Sequence, residues 1–105
     1  MSDVVVIATV YPLPGKLDEV VAVIGSNVPR VHDEDGCLTY AVQRFSEPDR
    51  IVFVERWTTP AALAAHAAAP HMAETNGRLD GLLARSGEVL VGESAVFGDP
   101  TKGSF

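Results

Sequence analysis

The chain is short of several things, and each shortage removes a class of function. It has one cysteine, Cys37, so no internal disulfide can form and a reducing compartment suits it. Basic residues are few: eight Lys and Arg against fourteen Asp and Glu, for a formal net charge of -6. Those eight are scattered along the chain, and the sign is wrong for a phosphate backbone, so no nucleic acid partner is expected. Long apolar runs are missing too. Val4–Val10 and Ile51–Val54 fall far short of the roughly 20 residues a membrane helix needs. No basic segment leads into a hydrophobic signal core near Met1, which predicts a cytoplasmic protein with no membrane partner. A Gly-rich dinucleotide fingerprint, a phosphate loop and paired histidines at i, i+4 are also missing. His66 and His71 stand five apart with Pro70 between them, so no shared metal is expected, and no cofactor.

What is present is ordinary globular composition, 47% hydrophobic and 21% charged over 105 residues, enough for one domain over residues 1–105. Its core is expected at about 4–96, with a weakly patterned Gly- and Pro-containing tail at 97–105. Val4–Tyr11 is rich in β-branched residues and apolar on both alternating sets, the pattern of a strand covered on both faces at a sheet centre. Pro12, Pro14 and Gly15 stop it. From Lys16 the apolar positions Leu17, Val20, Val21, Ile24, Val28 and Val31 recur every three or four residues, one stripe of an amphipathic helix. Pro29 predicts a kink or fresh turn in it, and Gly36 a left-handed stop. The acidic run Asp33–Asp35 reads as a solvated helix end.

Cys37–Phe45 and Arg50–Thr58 read as two strands joined by the turn residues Ser46, Glu47, Pro48 and Asp49, hence an antiparallel hairpin. Thr58 or Thr59 caps the next helix, with Pro60 at its first position. An alanine-rich segment runs to Ala69; Pro70 interrupts it, and a second helical segment is predicted over His71–Arg85, ended by Gly87. Glu88–Val96 alternates as a fourth strand. No internal repeat is present.

The order strand, helix, strand, strand, helix, strand defines an α+β, ferredoxin-like split βαβ fold: a four-stranded antiparallel sheet with helices on one face. The other face of an apolar central strand also needs cover. A second copy of the same sheet is the simplest, which predicts a homodimer.

Local stretches narrow this further: Ala8-Thr9-Val10 before Pro14-Gly15; Glu34 through Tyr40; Ile51 through Trp57; and above all Glu55 and Trp57 continuing through Leu63 and His66 to Pro70, His71 and Met72. From Val4 to Val96 the chain resembles the antibiotic biosynthesis monooxygenase family, and the last stretch is similar to its quinol oxygenase branch. The resemblance implies a dimeric α+β barrel. It also implies a cofactor-free monooxygenase oxidising a phenolic, anthrone or quinol-type aromatic with molecular oxygen. The family also holds haem-degrading oxygenases and an isomerase branch, so a haem-binding relative and a non-catalytic dimeric ligand-binding domain stand as alternatives.

Oxygen chemistry without a cofactor asks for an apolar pocket, a group that takes a proton, and donors for the charge that develops. His66 is the candidate for the proton, since imidazole titrates near neutrality; the plainer alternative is a helix-surface or satisfied core histidine. Glu55 shares a strand face with Phe53 and Trp57, and a carboxylate buried there needs a partner or a raised pKa. Its alternative is a structural ion pair to Arg44, or to Arg56 of a second chain. His66, Glu55 and Trp57 are the catalytic candidates. Tyr40, Phe53, His71, Met72, Asn27 and Thr9 are the substrate-binding candidates, against plain core or local structural roles. Cys37, with nothing nearby to lower its pKa, reads as a small buried side chain.

Overall fold

The computed structural model describes residues 3–105. The elements run β1 (Val4–Pro12), α1 (Leu17–His32), β2 (Cys37–Phe45), β3 (Arg50–Trp57), α2 (Pro60–Ala67), α3 (Pro70–Leu79) and β4 (Leu83–Gly92). The four strands form one antiparallel sheet in the order β2-β3-β1-β4, with β1 and β3 at its centre. This is the ferredoxin-like α+β fold. Strand side chains alternate, so Val6, Ala8 and Val10 of β1 share one face with Ile51, Phe53, Glu55 and Trp57 of β3 and with Tyr40 of β2. That face meets the helices. Val6, Val20, Ile24, Val31, Ile51 and Trp57 are buried at its heart. The tail returns toward β3, where the Phe105 carbonyl accepts from Arg56 at 2.5 Å.

Several local expectations are met and others corrected. The hairpin strands begin and end where turn chemistry places them, except that Trp57 closes β3. Thr59 is the cap of α2, its Oγ1 accepting from the Ala62 amide at 3.0 Å, with Pro60 next. Pro70 does end the alanine segment and opens α3, so three helical segments cover the sheet.

No fresh turn opens at Pro29: α1 is one helix through to His32. Proline forgoes a single backbone bond there, while Val28 and the fully buried Val31 keep the stripe in the core. The helix expected to reach Arg85 ends at Leu79, and β4 starts at Leu83 rather than Glu88 and ends at Gly92 rather than Val96. Gly81, at φ +83°, reverses the chain, and the Leu82 carbonyl then accepts from Leu13, tying the new strand to the end of β1. Leu82 and Leu83 therefore pack against the core from a turn and a strand. Gly87 lies inside β4 rather than stopping a helix. A Cβ there would sit 2.6 Å from the Thr9 carbonyl, at the point where the β1–β4 register shifts.

Candidate functional site

Between the sheet and the helices lies a cavity of about 320 Å³, within the range of small-molecule sites. Val6, Ala8 and Val10 of β1 and Ile24, Leu63 and Leu79 of the helices make its walls apolar. Its polar groups come from five elements: Asn27 of α1, Tyr40 of β2, Glu55 of β3, His66 of α2, and Thr75 and Asn76 of α3. Val89, on the exposed edge strand β4, lines its outer side.

His66 stands in the last turn of α2. Its ring is 6% exposed and tilts against Trp57, with centroids 4.6 Å apart, and against Tyr40 at 5.5 Å. Nδ1 lies 2.8 Å from Glu34 Oε2 and 3.2 Å from Oε1. No side chain among the described residues hydrogen-bonds Nε2, the ring nitrogen that remains. On the same carboxylate, Oε1 lies 2.6 Å from His71 Nε2. The opposite nitrogen of His71, Nδ1, lies 2.9 Å from Asn27 Oδ1, and the Asn27 amide points its nitrogen at Met72 Sδ, 3.3 Å away.

Glu34 was not a candidate, because it sits in the acidic run read as a solvated helix end. Asp33 and Asp35 are exposed as that reading requires; Glu34 is turned inward. The backbone explains this. Gly36 adopts φ +82°, and its carbonyl accepts from the Thr58 amide at 2.9 Å, so the turn before β2 lies against the turn before α2. A Cβ on Gly36 would come within 2.6 Å of both Ala62 Cβ and Thr58 Oγ1. One sequence signal leads there: in the hairpin register Cys37 pairs with Trp57, so residues just before one must meet residues just after the other.

Glu55 lines the cavity and is 5% exposed. Its Oε1 accepts from the Trp57 indole Nε1–H at 3.0 Å, so within the chain its buried partner is Trp57 and not Arg44. Arg44 instead pairs with Asp18 at 2.5 Å, and Arg56 with Asp3 at 3.6 Å. Burial pushes the Glu55 carboxyl above the ordinary glutamate range; the Trp57 hydrogen bond and His66 oppose that rise and Glu34 adds to it. Burial, then the charges of Glu55 and Glu34, drive the Tyr40 phenol strongly upward, so it remains an O–H donor. The Cys37 thiol is also raised, first by burial and then by Glu34 and Glu55, which leaves it a poor nucleophile.

Of the predicted residues, Tyr40, Phe53, Glu55, His66, Met72 and Asn27 line the cavity together. Trp57, fully buried, packs behind His66, and His71 packs behind Glu34 and Asn27, so neither reaches the cavity wall. Thr9 is apart from all of them. It alternates with Ala8 and Val10 and so points from the opposite face of the sheet, paired with Val52 and Glu88. Among the described residues no group of three or more His, Cys, Asp or Glu side chains is arranged to hold a metal ion. Among the described residues no helix is long and apolar enough to cross a membrane.

The fold is a ferredoxin-like α+β domain with a largely apolar cavity between helices and sheet. The sequence pattern described as antibiotic biosynthesis monooxygenase matches residues 3–78, most of the chain, and the protein belongs to that family. It is similar to "Putative monooxygenase Rv0793" of Mycobacterium tuberculosis, 29% identical over 90 residues that cover 86% of this chain and 89% of that one. The solved structure of Rv0793 superposes with a TM-score of 0.82 at 26% identity, over 93% of this chain and 100% of the other. A Caulobacter crescentus structure, described as a putative antibiotic biosynthesis monooxygenase, shares the fold with a TM-score of 0.83 at 20% identity, over 90% and 91% of the two chains.

Proposed function

We propose that the protein is a monooxygenase for a phenolic, anthrone or quinol-type aromatic, using molecular oxygen and no metal or flavin. One observation carries the reading: an imidazole with one nitrogen on a half-buried carboxylate and the other unengaged, set in the wall of an apolar cavity of aromatic size. An anthrone methylene would give a proton to His66 Nε2, leaving an electron-rich anion. The anion passes one electron to oxygen, and the two radicals join as a peroxide at that carbon. The imidazolium returns the proton, and loss of water leaves the ketone, with one oxygen atom kept and one released. Tyr40 stays protonated and serves as a donor to the phenolate or peroxide oxygen. Phe53, Met72 and Leu79 supply the apolar bed for the rings. Incubating the protein with a panel of hydroquinones and anthrones in an oxygen electrode tests this. Uptake above blank with ketone or quinone formation is expected, and none across the panel contradicts it.

The same reading makes the protein a homodimer. On the sheet face away from the helices the alternation sets Val5, Ile7, Val52 and Val54, with Leu90 of β4 still 69% exposed. A second copy of that face is the cover that would bury them. Sedimentation of dilute protein at the mass of two chains is the expected result; a stable monomer contradicts it.

A further inference from the structure

We infer that Glu34 is a positioning residue for His66: its carboxylate fixes the ring as the Nδ1–H tautomer, so that Nε2 keeps its lone pair for the cavity. This rests on the reading of His66 as the proton acceptor and names what makes that nitrogen available. A neutral imidazole has one N–H, and which nitrogen bears it is set by the hydrogen bond its partner offers. A carboxylate can only accept, so at 2.8 Å from Nδ1 it demands the proton there. Free imidazole side chains favour the other tautomer, in which Nε2 carries the hydrogen and has nothing to accept with. Oε1 of the same carboxylate lies 2.6 Å from His71 Nε2, and His71 Nδ1 lies 2.9 Å from Asn27 Oδ1. Glu34 is only 16% exposed, so water competes poorly for it. When His66 takes a proton, the same carboxylate faces the new positive charge at hydrogen-bond distance.

Ring nitrogen-15 NMR reads the tautomer in the resting protein at alkaline pH, where imidazole is neutral, without any substrate. Wild type is expected to show His66 with a protonated Nδ1 and a bare Nε2. Glu34→Ala is expected to move the ring to the Nε2–H form and to lower kcat for oxygen uptake on the hydroquinone and anthrone panel on the order of 100-fold or more, with KM within about twofold. Glu34→Gln retains an acceptor oxygen but loses the charge, and is expected to keep the Nδ1–H signature while kcat still falls; it serves also if the alanine variant does not fold. A wild-type His66 in the Nε2–H form, or a Glu34→Ala ring and kcat unchanged from wild type, overturns the inference. The predicted NMR signatures in a protein that consumes no oxygen uphold the tautomer assignment and count against the monooxygenase reading alone.

Discussion

Trp57→Phe is the most informative stability test, because Trp57 holds a buried carboxylate and packs a histidine at once. The indole is 0% exposed, donates to Glu55 at 3.0 Å and lies 4.6 Å from the His66 ring. Phenylalanine removes the donor and leaves Glu55 Oε1 buried without it, a loss of about 1.5–3 kcal/mol for a bond to a charged acceptor. The smaller ring leaves a void that adds about 1–2 kcal/mol. Against a total stability of roughly 5–15 kcal/mol, this is a large fraction. The two contributions separate in a double-mutant cycle with Glu55→Met, a background with no carboxylate to orphan. There the tryptophan substitution is expected to cost only the void, so the coupling is about 1.5–3 kcal/mol. Urea unfolding at neutral pH and one fixed protein concentration measures it. Circular dichroism is the probe, since Trp57 is the only tryptophan. A coupling under about 0.5 kcal/mol would refute the hydrogen bond as a stabilising contact.

Two further outcomes are expected. Because the folded state raises the Glu55 carboxyl, chiefly by burial, the native protein keeps that proton at pH values where the unfolded chain has lost it. Its contribution is therefore full below the ordinary glutamate range and is lost as pH rises through the folded value. Glu55→Gln, which does not titrate, should lose less stability over that interval, and denaturation midpoints across acidic to neutral pH check it; parallel curves would contradict the cause given. Gly36→Ala meets both a left-handed backbone and two contacts at 2.6 Å, so it should destabilise by more than about 2 kcal/mol, whereas Gly25→Ala, in a helix with open space around it, should stabilise by about 0.5–1 kcal/mol in the same thermal melts.

Much of the architecture is legible in the sequence, and the reasons are local. β1, the hairpin and α1 each carry an apolar period or turn chemistry strong enough to fix them without tertiary help. The region from Gly77 to Gly87 does not: three glycines and three leucines fit a weak helix or a turn and strand equally well. The tie from Leu13 to Leu82 and the close approach of Gly87 to Thr9 decide it. At the site, period two places Phe53, Glu55 and Trp57 on one face, and helical position brings His66 to them. Glu34 is hidden, because three acidic residues in a row look alike until the turns at Gly36 and Thr58 are brought together. Thr9 illustrates the reverse: a polar residue between two cavity-lining neighbours is on the other side of the sheet, as alternation alone requires.

The most direct test of His66 as the proton acceptor is oxygen consumption by His66→Gln against wild type, with an anthrone or hydroquinone that wild type turns over. A fall in kcat on the order of 10²–10⁴-fold with KM little changed is the predicted result. Turnover by the variant at the wild-type rate would show that the proton goes elsewhere.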